Sequence, residues 1–89
     1  MKKLVSIIIP CRNEENFLAK CLDSIILQDY PKESLEVFVV DGASEDRTRK
    51  IANEYARKNN FIKVLFNPRK ITPVSMNLGI RESKGDIIV

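Results

Sequence analysis

Short apolar runs and helix-spaced apolar stripes take turns along the chain. Val5–Pro10 (V-S-I-I-I-P) is a β-branched run closed by proline and reads as a buried strand. Phe17, Leu18, Cys21, Leu22, Ile25 and Ile26 then recur at helical spacing. With Asn13 as cap and Glu14 and Glu15 in the first turn, they predict an amphipathic helix over about residues 14–28. Tyr30-Pro31 breaks it, and Leu35–Val40 (L-E-V-F-V-V) forms a second buried strand closed by the turn Asp41-Gly42-Ala43-Ser44. Ser44 or Asp46 caps the next helix, whose core stripe is Ile51, Ala52, Tyr55 and Ala56 and whose end is Asn59-Asn60. Phe61–Phe66 alternates as a third strand. Thr72-Pro73 opens a third helix through Met76 and Ile80, Lys84-Gly85 ends it, and Asp86–Val89 begins a fourth strand.

Strands separated by helices of ten to fifteen residues imply right-handed crossovers and a parallel sheet covered on both faces. The expected fold class is α/β, a Rossmann-like three-layer sandwich with a parallel four-stranded sheet. In such sheets ligands bind at the carboxyl ends of the strands, where the strand order reverses. That singles out Arg12, Asn13 and Glu14 after the first strand and Asp41 and Ser44 after the second.

Composition narrows the chemistry. Eighty-nine residues make one small domain, and histidine is absent, so no Ser-His-Asp or Cys-His nucleophile can be assembled from this chain. Cys11 and Cys21 have no metal-ligand spacing and read as small buried residues. No apolar run approaches the ~20 residues of a membrane span, so the expected location is cytoplasmic, or the cytoplasmic membrane face for a complete protein. Net charge is +3, but residues 44–70 carry eight basic and three acidic side chains. Such a stretch attracts anions or forms a solvated helix face. With six aromatic residues and no run of five like charges, nucleic acid is not an expected partner.

The turn after the first strand is Pro10-Cys11-Arg12-Asn13-Glu14-Glu15, without glycine, which excludes the dinucleotide fingerprint, and there is no Walker A loop. Three blocks remain: V-S-I-I-I-P-C-R-N-E-E at 5–15, V-V-D-G-A-S-E-D-R-T at 39–48 and N-L-G-I-R-E-S-K-G-D-I-I-V at 77–89. Together, in order and spacing, they resemble the family 2 glycosyltransferases of GT-A fold over nearly the whole chain. The stretch N-P-R-K-I-T-P-V-S-M-N-L-G-I at 67–80 is further similar to the succinoglycan-type exopolysaccharide transferases.

The resemblance implies a nucleotide-diphosphate-sugar donor, a UDP-sugar first of all, used in inverting transfer during polysaccharide or glycolipid synthesis. It places Pro10, Arg12, Glu14 and Asp41 at nucleotide-contacting positions. Pro10 fixes the backbone where the strand opens. Arg12 stands where many relatives carry an aromatic ring, and its planar guanidinium offers both a stacking face and charge. Glu14 and Asp41 are acceptors for a base imide or ribose hydroxyls. Glu14 equally suits the first turn of a helix. Asn77 and Arg69 are candidates for supporting the donor pocket, against plain helix packing and solvated surface. Lys70 shares the alternatives of Arg69.

The family's metal-binding carboxylates follow the fourth strand and fall past Val89. The complete enzyme is therefore expected to use Mg or Mn, with none held by these residues and no catalytic residue among them. The chain is expected to be residues 1–89 of a hexosyltransferase-type protein, cut before the metal motif. The competing expectation is a stand-alone nucleotide-binding or interaction module. A strand ending in Ile87-Ile88-Val89 also predicts a homo-oligomer formed near the fourth strand.

Overall fold

A computed structural model describes residues 3–70, 72–85 and 87–88. The elements are β1 (Val5–Cys11), α1 (Leu18–Ile26), a short 3-10 turn (Lys32–Ser34), β2 (Leu35–Asp41), α2 (Thr48–Lys58), β3 (Ile62–Phe66), α3 (Thr72–Glu82) and β4 (Ile87–Ile88). All strand pairs are parallel, in the order β3-β2-β1-β4. The expected α/β sandwich with a parallel four-stranded sheet is what forms. The order reverses beside β1, since β2 lies on one side of it and β4 on the other.

Alternation along the strands divides the core. Val37 and Val39 of β2 pack with Leu18, Leu22, Ala52 and Ile62 beneath α1 and α2. Phe38 and Val40 pack with Ile8, Met76 and Leu78 beneath α3. Because β2 is covered on both faces, its sequence is a nearly continuous apolar run. Tyr55 Oη donates to Asp23 Oδ1 at 2.6 Å and ties α2 to α1.

Helix α3 approaches β1 closely at Gly79, where an added Cβ would lie 2.5 Å from Ile8 Cγ2. Gly85 lets the turn before β4 pass over Ser6, whose backbone nitrogen would stand 2.8 Å from an added Cβ. Glu36 Oε2 secures the same turn, accepting from Ser6 Oγ at 2.5 Å and from the Lys84 amide at 2.6 Å.

Four expectations need correction. The first helix begins at Leu18 and ends at Ile26, rather than spanning 14–28. Asn13 does not cap it: its φ is 56°, and its side chain accepts from the Glu45 amide at 2.8 Å. Neither Ser44 nor Asp46 is the N-cap of α2, which is Arg47: the Ser44 hydroxyl accepts from the Asn13 amide, and Asp46, one residue ahead of the cap, accepts through Oδ1 from the Thr48 amide at 2.9 Å. Cys21 is exposed, on a flank of α1 shared with the exposed Phe17, while Cys11 is buried as expected. The readings placed on Asp86 and Val89 lie outside the described residues.

Candidate functional site

Three loops meet at the carboxyl edge of the sheet, one after each of β1, β2 and β3. The first two are fastened by amides of residues 13–15 and side-chain oxygens of residues 44–48. Asn13 donates to Ser44 Oγ at 2.9 Å, Glu14 to Thr48 Oγ1 at 2.8 Å, and Glu15 to Asp46 Oδ2 at 3.2 Å. Thr48 is fully buried, and its hydroxyl donates onward to Asp46 Oδ1 at 2.5 Å. Desolvation alone would raise the Asp46 carboxyl. The hydrogen bonds from Thr48 and Glu15 outweigh it and hold the group below its ordinary range.

This fastening explains the late start of α1. The chain from Asn13 to Phe17 is held as turns, with Glu14's carbonyl accepting from the amides of Phe17 and Leu18. Glu14 is thus outside the helix, and its side chain does not serve the first helical turn. Of its two readings, the capping one is removed.

The third loop is built on Asn67, which is fully buried. Its amide donates to the Asp41 carbonyl at 2.7 Å, its Nδ2 to Ser75 Oγ at 2.9 Å, and its Oδ1 accepts from the Arg69 amide at 3.0 Å. Each loop holds one residue other than glycine in the left-handed region: Asn13 and Ala43 with φ 56° and Lys70 with φ 67°. Asparagine tolerates this conformation; alanine and lysine adopt it at a cost that clusters at functional sites.

A cavity of about 200 Å³ opens between the loops, with Pro10, Arg12, Glu14, Gly42, Lys70 and Thr72 in its wall. Cys11 and Ser75 complete it. Of the residues singled out from sequence, Pro10, Arg12 and Glu14 therefore come together. Arg12 also reaches Glu45 Oε1 at 3.6 Å, an exposed pair worth little. Asp41 lies one residue behind the wall: it precedes Gly42 in the chain and stands beside Cys11 in the sheet. Arg69 and Asn77 are exposed and outside the wall, whereas Lys70, weighed only beside Arg69, is in it. Thr72 and Ser75 were not foreseen as wall residues; the helix-start pattern Thr72-Pro73 pointed only to local structure.

The wall is polar and of mixed charge, with Arg12, Lys70 and Glu14 among its residues. Such a set can hold a phosphate by its cations and a hydroxyl or ring N–H by its carboxylate. Cys11 adds no nucleophile. Burial, and next the negative charges of Asp41 and Glu14, push its thiol up to about 12, so it stays protonated at neutral pH. Among the described residues no group of three His, Cys, Asp or Glu is placed to hold a metal ion.

Known proteins resemble this chain in sequence and in fold. The glucuronosyltransferase of Methanococcus voltae described as dolichyl N-acetyl-alpha-D-glucosaminyl phosphate 3-beta-D-2,3-diacetamido-2,3-dideoxy-beta-D-glucuronosyltransferase is 40% identical over 87 residues, which cover 96% of this chain and 27% of that protein. The probable glycosyltransferase YdaM of Bacillus subtilis (strain 168) is 40% identical over 99% of this chain and 22% of its own length. The chain thus spans about a quarter of the length of these relatives. Among solved structures, the mannosyltransferase PcManGT of Pyrobaculum calidifontis, in complex with GDP-Man and Mn2+, superposes with a TM-score of 0.90 at 31% identity, covering 99% of this chain and 26% of that one. Staphylococcus aureus TarS residues 1–349 in complex with UDP-GlcNAc gives 0.88 at 31% identity, over 97% of this chain and 25% of that one. The profile described as Glycosyl transferase family 2 matches residues 6–89, from the second residue of β1 onward. With the family match over nearly the whole chain and relatives 40% identical to it, the chain belongs to glycosyl transferase family 2.

Proposed function

We propose that the cavity at the carboxyl edge receives the nucleotide of a nucleotide-diphosphate-sugar donor, and that the complete protein transfers the sugar with inversion in polysaccharide or glycolipid synthesis. The observation that carries this is the meeting of Pro10, Arg12, Glu14, Gly42 and Lys70 at the strand-order reversal, where α/β sheets bind ligands. The matched structures with UDP-GlcNAc and with GDP-Man support it.

Ligand pockets usually enclose roughly 300–1,000 Å³. A cavity of about 200 Å³ suits part of a nucleotide rather than a whole sugar donor. The sugar and the acceptor then belong with residues beyond those described, as does the Mg or Mn of the complete enzyme, for which the described residues offer no ligand set. Glu14 and Asp41 serve the base and ribose, Arg12 the base or the diphosphate, and Lys70 the diphosphate, with Arg69 and Asn77 as outer support. The succinoglycan-type branch remains the finer assignment we favour. No helix among the described residues is long and apolar enough to cross a membrane; we place the protein in the cytoplasm or at the cytoplasmic membrane face.

Titrating the protein with UDP and following amide shifts by NMR tests the pocket. Shifts are expected at residues 10–14, 41–44 and 70, with little dependence on magnesium. Shifts confined to the α1–α2 side of the molecule would reject it.

The outer edge of β4 bears no further strand among the described residues. We propose that the chain associates through this edge, most simply as a symmetric dimer. Light scattering over a concentration series should show the mass doubling; a constant monomer mass to high concentration rejects association.

A further inference from the structure

We propose that the outer edge of β3 is a docking site for an extended acidic peptide segment, which adds to the sheet as a further strand.

Among the described residues β3 stands at one end of the sheet and pairs only with β2. Its register fixes which backbone groups are used. The Val37 amide donates to the Phe61 carbonyl at 2.8 Å, and the Asn67 amide donates to the Asp41 carbonyl at 2.7 Å. In a parallel ladder the bonds on one strand fall on alternate residues, so β2 takes the groups of residues 61, 63, 65 and 67. The N–H and C=O of Val64, the C=O of Ile62 and the N–H of Phe66 are therefore turned outward. The Ile62 amide is already given to the Asn59 carbonyl at 3.0 Å, which closes the amino-terminal end of this free edge.

A free edge is a template for another strand, and the charge around it selects which. From Tyr55 to Ile80 the chain has five basic residues and no acidic one. Along β3, Ile62 and Val64 pack beneath α2 and Leu65 packs on the α3 side. By alternation the exposed Lys63 stands on the α3 side as well. On the other face α2 packs against β3, and Arg49, Lys50, Asn53, Glu54 and Arg57 line an opening of about 540 Å³ there. Arg49 anchors the first turn of α2 to the strand. Its guanidinium lies over the Phe66 ring, 4.9 Å from the centroid, and its Nε is 3.3 Å from Asp41 Oδ2. Lys50, Arg57 and Lys63 have no carboxylate within salt-bridge distance among the described residues. The edge is thus flanked by unpaired cations on both faces of the sheet, against the single carboxylate of Glu54. Two copies joined β3 to β3 would bring these cations together, and like charges across a strand pair oppose it. A strand bearing Asp or Glu meets opposite charge instead, while its backbone satisfies the outward groups. A lipid surface supplies negative charge but no ordered row of donors and acceptors.

The test uses three fluorophore-labelled heptapeptides. They are Glu-Val-Glu-Val-Glu-Val-Glu, the same peptide with its backbone amides N-methylated, and Lys-Val-Lys-Val-Lys-Val-Lys. Anisotropy titration should show saturable binding of the acidic peptide and none of the lysine peptide, with NMR amide shifts centred on residues 62–66. N-methylation should raise the dissociation constant at least about tenfold, the scale of two lost hydrogen bonds. Lys63→Glu, checked for folding by circular dichroism, should raise it about fivefold or more by turning attraction into repulsion. If that variant does not fold, Arg57→Glu serves the same comparison. Equal binding of the N-methylated peptide overturns strand addition. An affinity unchanged in the charge-reversed variant overturns the selection for acid. Failure of the folded protein to bind the acidic peptide, or its sedimentation with phosphatidylserine vesicles in place of that binding, overturns the proposal.

Discussion

Thr48→Val is expected to lower the melting temperature by about 10 °C and to weaken nucleotide binding in the same variant. The substitution keeps the shape of a fully buried side chain and removes only its hydroxyl. The Glu14 amide then loses its acceptor, and Asp46 loses a donor 2.5 Å away. Leaving the part-buried Glu14 amide without its acceptor costs about 2 kcal/mol. A domain of this size loses about 4–8 °C per kcal/mol, which gives the stated shift. Binding suffers because Arg12 and Glu14 are placed by this fastening rather than by a helix. Thermal melts by circular dichroism check the first effect and UDP titration the second. A variant melting within about 2 °C of the unaltered protein would show that the loops are held by other means.

Gly79→Val should be more damaging still. A Cβ at this position would stand 2.5 Å from Ile8 Cγ2 and 3.0 Å from Ile8 Cδ1, and Ile8 is itself buried under α3. Replacing a mid-helix glycine ordinarily gains up to about 1 kcal/mol of helix propensity. Overpacking a core costs typically 1–3 kcal/mol, and the two further methyl groups of valine raise it, so a net loss of about 3 kcal/mol is expected. Ile8→Ala alone should cost about 2–4 kcal/mol through its cavity. If the clash is the cause, the pair should be less harmful together than the sum of the two by at least about 1 kcal/mol. Urea unfolding of the four proteins measures this. Additive losses would place the fault in the helix rather than at its contact with β1.

These two positions show how unevenly the structure can be read from sequence. The strands and helices are local matters. The run L-E-V-F-V-V is apolar throughout because β2 is covered on both faces, and Thr72-Pro73 starts α3 where the pattern said it would. The start of α1 is not local. Asn13, Glu14 and Glu15 look like a helix opening, yet their amides are taken by oxygens 31 to 34 residues away. No periodicity carries that information. The exposure of Cys21 has a similar cause. The stripe that includes Phe17 and Cys21 is wider than the face that the sheet covers, so its flank is left in solvent. At the site, Pro10, Arg12 and Glu14 follow from their place at the carboxyl end of β1 and just after it. The Arg49–Asp41 pair joins a strand end to the next helix, and nothing in the spacing of an arginine on a basic helix distinguishes it from its solvated neighbours.

The direction of the bonds between the first two loops has a consequence for how this edge can change. Apart from Asn13, whose Oδ1 accepts from the Glu45 amide, the β1 loop contributes amides, which every residue but proline possesses, whereas the β2 loop contributes the hydroxyls of Ser44 and Thr48 and the carboxylate of Asp46. The identities of Ser44, Asp46 and Thr48 are thereby committed to holding the edge together. Those of Arg12, Glu14 and Glu15 are not, and they are free to be exchanged without loosening it. Substitution can therefore retune the cavity wall from one loop while the other keeps the scaffold intact. A library randomised at 12, 14 and 15 should yield mostly folded members, and one randomised at 44, 46 and 48 mostly unfolded ones.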